Sequence, residues 1–134
     1  PLNATWGIEN RTCGARVILG PSDHATRIEF RQTGADINPY IAMATCLGSG
    51  LHGVAERIEP PAMTSGDATN QGDPTLALPL TLEAAFQRLR ESKAASQVLG
   101  EEFVDHFVRT RDWECREYRK AVSNWELRRY FEAV

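Results

Sequence analysis

The sequence predicts an α+β fold, in which a few antiparallel strands are followed by a helical C-terminal half. Two observations carry this expectation. Residues 27–31 alternate strictly, with Arg27, Glu29 and Arg31 on one side and Ile28 and Phe30 on the other, the period of two that a strand imposes. From Thr81 onward, apolar residues instead recur every three to four positions behind residues suited to capping helices.

The elements follow in chain order. Between Ala4 and Leu19, Trp6, Ile8, Val17, Ile18 and Leu19 are mixed with polar residues and are interrupted at Cys13-Gly14, which reads as two short strands joined by a turn. Gly20-Pro21-Ser22-Asp23 closes that pair before the strand at Arg27–Arg31. Asn38 is the expected N-cap of a helix with Pro39 at its first position, running to about Ile58. Residues 59–79 collect Pro60, Pro61, Gly66, Gly72, Pro74 and Pro79 and are expected to form a long surface loop.

Thr81 caps an expected helix from Leu82 to Ser92, whose Leu82, Ala85, Phe86 and Leu89 share one face. A long amphipathic helix follows Gly100, with Phe103, Val104, Phe107, Val108, Cys115, Tyr118 and Val122 on its apolar side and Arg109, Arg111, Arg116 and Lys120 toward solvent. Ser123 with Glu126 forms a capping box for a last short helix.

The chain has 134 residues, 42% hydrophobic and 25% charged, with a net charge of -3, which bounds it to one domain's worth of globular sequence. It has no long apolar run to span a membrane and no broad basic footprint for nucleic acid, so a cytoplasmic protein with neither partner is expected. The 3 cysteines, Cys13, Cys46 and Cys115, are widely spaced and suit neither a disulfide framework nor a metal clip, and are expected to be reduced and mostly buried. The chain opens at Pro1-Leu2-Asn3 and runs straight into strand-like sequence, as a piece of a longer protein would.

Chemistry concentrates in two runs, Asn10–Arg16 and Arg27–Arg31. If their strands pair or neighbour each other, Arg11, Arg16, Arg27 and Arg31 surround Glu29 with more positive charge than one carboxylate neutralises. Such a surplus suits an anion: guanidinium forks match phosphate and carboxylate oxygens, and a carboxylate among them suits a hard divalent cation bridging phosphates, as in an ATP site. A solvated ladder of Arg–Glu pairs across neighbouring strands explains the same residues without a ligand. Nucleic-acid binding would need basic or aromatic residues spread along a groove, and the rest of the chain is acidic.

The runs Trp6-Gly7-Ile8-Glu9-Asn10-Arg11-Thr12, Arg16-Val17, Arg27-Ile28-Glu29-Phe30-Arg31 and Gly34-Ala35-Asp36-Ile37-Asn38-Pro39-Tyr40 resemble, in order and spacing, consecutive motifs of the glutamine synthetase family. The likeness continues through Gly50–Val54, Pro60-Pro61, Leu78–Ala85, Leu99-Gly100 and Trp125-Glu126, and so covers almost the whole chain. It implies that residues 1–134 are the C-terminal portion of a glutamine synthetase-type catalytic domain, without its N-terminal domain or upstream catalytic half, and inactive alone.

The implied reaction is an ATP-dependent ligation that joins the glutamate γ-carboxylate to ammonium through a γ-glutamyl phosphate. By resemblance, Arg11 holds glutamate, Arg16 and Arg27 hold ATP phosphates, Glu29 binds Mg2+ or Mn2+, and Arg31 is a catalytic, substrate-side arginine near the transferred phosphoryl group. Phosphoryl transfer needs positioning and charge neutralisation, which these residue types supply. The resemblance also implies a homo-oligomer.

Two alternatives stay open. Gly34-Ala35-Asp36 and the lack of a tyrosine between Pro61 and Pro79, where one branch of the family is adenylylated, resemble branches that use polyamines or other primary amines. A catalytically dead, nucleotide-binding or structural relative is the other, and the retention of all four arginines with Glu29 argues against it.

Overall fold

The computed structural model describes residues 1–70 and 72–133, and the chain divides into two compact units, Pro1–Pro79 and the residues from Leu80 onward. As the sequence indicated, a small sheet precedes a helical half.

In the first unit, β1 (Trp6–Ile8), β2 (Ala15–Ile18) and β3 (Arg27–Phe30) form one sheet in the order β1-β2-β3. β2 and β3 pair antiparallel, with Arg16 opposite Glu29 and Val17 opposite Ile28. β1 and β2 pair parallel, with Gly7 opposite Arg16, which corrects the expectation of antiparallel strands for this pair. The cause lies in residues 9–14. Glu9 turns the chain with a left-handed φ of 49°, and the Asn10 side-chain oxygen accepts from the Thr12 amide at 3.0 Å and the Thr12 hydroxyl at 2.7 Å. The segment thereby returns to the start of β1 before β2 begins. The amides of Ala15 and Glu9 then donate to the carbonyls of Thr5 and Val17, each at 2.9 Å, at the two ends of the parallel pair.

Residues 61–66 run beside β1 and the turn that follows it. The Trp6 indole donates to the Pro61 carbonyl at 2.7 Å, the Thr64 amide to the Trp6 carbonyl at 3.0 Å, and the Asn10 amide group to the Gly66 carbonyl at 2.7 Å. The approach is close enough that a Cβ on Gly7 would stand 2.8 Å from the Thr64 carbonyl oxygen, so only glycine fits there. Cys13 and Ala68 are buried in this unit, together with Asn3 and Thr5, whose side chains bond to each other at 2.9 Å.

Helix α1 (Pro39–Ala55) begins as expected, the Asn38 side chain accepting from the amides of Tyr40 at 3.0 Å and Ile41 at 3.3 Å. It stops before Ile58 because Arg57 adopts a φ of 52°, and the amides of Arg57 and Ile58 close back onto the carbonyls of Val54 and Gly53. None of its residues is buried.

The second unit packs α2 (Leu82–Glu91) and α3 (Lys93–Leu99) against α4 (Glu101–Lys120), and α5 (Asn124–Tyr130) follows. Phe86, Val104 and Val108 are its buried centre, with Leu89, Ala95, Leu99 and Cys115 around them. Helix α3 was not expected. The Ser92 side chain caps it by accepting from the Ala95 amide at 3.1 Å, and Gly100, at φ 86°, separates it from α4. Tyr118, expected on the apolar side of α4, is exposed. All three cysteines are free as expected, but only Cys13 is buried; Cys115 is partly covered and Cys46 exposed. Cys46 lies on α1, which has no buried face. Among the described residues no helix is long and apolar enough to cross a membrane.

Candidate active site on the strand pair

The antiparallel register of β2 and β3 sets Arg16 directly opposite Glu29 on one face of the sheet. Arg16 is the most sheltered member of the cluster, its side chain 16% exposed. One terminal nitrogen of its guanidinium donates to the Glu9 carboxylate. The other stands 3.6 Å from Oε2 of Glu29, beyond hydrogen-bond distance. Its Nε is buried with no hydrogen-bond partner among the described residues. The bond to Glu9 holds the Arg16 guanidinium above its ordinary pKa, against the opposing effect of its own desolvation, and the nearby charges of Glu9 and Glu29 add to the rise.

Arg31 lies just past β3 and continues its pairing, its amide donating to the Gly14 carbonyl at 2.9 Å. Its Nε is also 3.6 Å from Oε2 of Glu29. A terminal nitrogen of the same side chain reaches across to the residue 9–14 loop, donating to the Arg11 carbonyl and, at 3.2 Å, to the Cys13 carbonyl. Arg31 therefore bears on Glu29 and on the backbone that carries Arg11.

Arg11 is held in that loop by its carbonyl, while its own guanidinium is exposed and forms no ion pair among the described residues. Arg27 donates to the Ala25 carbonyl at 3.1 Å and forms no ion pair with Glu29 among the described residues. The expectation that four guanidinium groups surround Glu29 is thus corrected: two converge on it, because the strand register supplies Arg16 and the residue after the strand supplies Arg31. Arg27 stays with its own backbone, and Arg11 lies in the loop after β1.

Sequence reasoning did not single out Glu9, which the turn after β1 brings to Arg16. A signal was available in charge balance, since an arginine sheltered within a sheet needs a carboxylate partner. With Glu9 counted, the two converging guanidinium groups meet two carboxylates, and the remaining positive charge is that of Arg11 and Arg27, which form no ion pair with either among the described residues.

A family model described as "Glutamine synthetase, catalytic domain" matches residues 1–130. The chain belongs to the glutamine synthetase family. It is 45% identical to type-1 glutamine synthetase 2 of Dictyostelium discoideum, covering 100% of this chain and 26% of that protein. It is 39% identical to a glutamate–isopropylamine ligase of a Pseudomonas species, covering 98% of this chain and 29% of that one. The gamma-glutamylethanolamide synthetase of Streptomyces coelicolor is 36% identical, with 100% of this chain and 28% of the relative covered. A solved structure described as apo GmaS without ligand superposes with a TM-score of 0.78 at 27% identity, covering 99% of this chain and 31% of that one. The chain therefore spans less than a third of the length of these relatives.

For a family that generally uses ATP and divalent metals, the local donor set can be tested against such an ion. Among the described residues no group of three or more His, Cys, Asp and Glu side chains gathers to hold a metal. Glu29 does fit as one ligand of a shared site. Its side chain is 45% exposed, and both neighbouring guanidinium groups pair with it at 3.6 Å, longer than a hydrogen bond. Mg2+ characteristically takes one or two carboxylates and completes its shell with phosphate oxygens and water.

Proposed function

We propose that this chain carries part of the active site of an ATP-dependent carbon–nitrogen ligase, which joins the γ-carboxylate of glutamate to ammonium through a γ-glutamyl phosphate. The observation that carries this reading is the convergence of Arg16 and Arg31 on a half-exposed Glu29, within a glutamine synthetase-type catalytic domain. In the first step a γ-carboxylate oxygen bonds to the terminal phosphorus of ATP and ADP departs. In the second, the amine nitrogen bonds to the acyl carbon, phosphate departs and a proton is lost.

Arg16 and Arg27 are assigned to the phosphates of ATP, and Arg11 and Arg31 to the substrate side, with Arg31 catalytic at the transferred group. The guanidinium of Arg11 is exposed and forms no ion pair among the described residues, which suits it to an incoming carboxylate. Arg31 stands where it can offer charge while fixing the Arg11 backbone. Glu29 is assigned to Mg2+ or Mn2+, and the bound ion would neutralise charge on the phosphates. The whole protein is proposed to be a cytoplasmic homo-oligomer, and this chain alone to be inactive because the remaining ligands lie elsewhere.

A second reading concerns the acceptor. Relatives named for ligation to isopropylamine and for gamma-glutamylethanolamide synthesis stand at 39% and 36% identity, and no tyrosine lies between Pro61 and Pro79, which supports a primary amine or polyamine, while the relative named a glutamine synthetase at 45% supports ammonium. Phosphate release by the intact protein with Mg2+, ATP and glutamate, measured with ammonium and then with a panel of polyamines, isopropylamine and ethanolamine, decides between them. Preference for ammonium supports the first reading and preference for an organic amine the second. Nucleotide binding without turnover on any acceptor would establish a dead relative and overturn both.

A further inference from the structure

An arginine placed directly across an antiparallel pair from a glutamate ordinarily closes onto it as a two-pronged, charge-assisted pair. Arg16 and Glu29 do not close: they stand 3.6 Å apart although their Cα positions are partners in the sheet. What restrains Arg16 is Glu9, to which its other terminal nitrogen is hydrogen-bonded. Arg31 is restrained in the same way, by the carbonyls of Arg11 and Cys13. Glu29 is thus flanked by two cations, each at ion-pair distance and neither within hydrogen-bond distance of its carboxylate.

We propose that Glu9 is a positioning residue, whose carboxylate holds the Arg16 guanidinium off Glu29 and so keeps Glu29 open to a divalent cation. Its backbone supports the assignment. Glu9 sits at φ 49°, a conformation disfavoured for a residue with a Cβ, and is fixed there by the hydrogen bond its backbone N–H donates to the Val17 carbonyl at 2.9 Å. That geometry brings the side chain from the end of β1 to the middle of β2. Without Glu9, Arg16 would relax onto Glu29 and compete with the metal for the same oxygens. The inference rests on the reading of Glu29 as a metal ligand.

The test is Mn2+ binding to the intact protein, followed by the paramagnetic resonance of the free ion with no nucleotide and no turnover. Glu9→Ala is expected to weaken the Glu29 site about tenfold, the lower end of what a partner orienting a metal ligand contributes. Removing the competitor as well, in the double variant E9A/R16A, is expected to restore binding to within about twofold of the parent, which a merely structural role for Glu9 would not do. Unchanged binding in E9A, or a double variant as weak as E9A, would overturn the proposal while leaving Glu29 as a ligand. Unchanged binding in Glu29→Gln would remove that assignment and the proposal with it.

Discussion

The two units of this chain are held together by different physics. From Leu80 onward, order comes from apolar packing: Phe86, Val104 and Val108 are buried among α2, α3 and α4, of which α2 and α3 are capped by Thr81 and Ser92. In Pro1–Pro79, little apolar volume is buried, and order comes instead from polar stitching, in which Asn3, Asn10, Thr12 and Trp6 hold distant backbone in place. The candidate site belongs to the second kind. Hydrogen bonds have direction where apolar contacts do not, so a stitched loop can fix an arginine or a carboxylate to within tenths of an ångström.

The contrast can be broken most forcefully at its apolar end. Phe86→Ala is expected to cost about 3 to 5 kcal/mol, because it removes the largest member of the buried cluster. Urea denaturation, with amide exchange followed in α2 and α4, checks it; a loss below about 1 kcal/mol would mean that the helices are held by something else.

At the polar end, Asn10→Ala deletes the acceptor for Thr12 and the donor to the Gly66 carbonyl. The expected cost is smaller, about 1 to 3 kcal/mol, since the lost bonds leave partners that water can partly satisfy. Faster exchange confined to the amides of Thr12 and Thr64 would sharpen the contrast. Equal loss of protection throughout the unit would blur it.

The smallest effect is one of pH. The backbone amide of Ser123 and its hydroxyl hold the Glu126 carboxyl below the usual carboxylate range. Because the folded pKa is the lower one, the capping box contributes fully above the ordinary glutamate range, and its contribution is lost as pH falls through the depressed value. Acidification is therefore expected to fray α5 while α2 and α4 persist. Helical signal from α5 that is flat down to strongly acidic pH would contradict this.

Much of this was legible in the residues themselves. The Arg27–Arg31 alternation located β3 and its charged face, and Asn38-Pro39, Thr81 and Ser123 located helix starts, because these signals are local. The parallel pairing of β1 with β2 was not legible, since it depends on a non-glycine residue, Glu9, adopting a left-handed backbone. Helix α3 was missed because its seven residues are too few to show a period against the stronger pattern of α4. In the site, the pairing of Arg16 and Arg31 with Glu29 follows from strand register, whereas the part played by Glu9 required the path of the loop in three dimensions.

The central claim is that the strand pair bearing Arg16, Glu29 and Arg31 serves ATP-dependent activation of glutamate. Glutamate-dependent formation of ADP by the intact protein, compared with its Glu29→Gln variant at saturating Mg2+, tests it most directly. The account predicts ready turnover in the parent and a loss of on the order of a hundredfold or more in the variant, the scale on which single charge-stabilising groups act. Equal rates in the two proteins would contradict it.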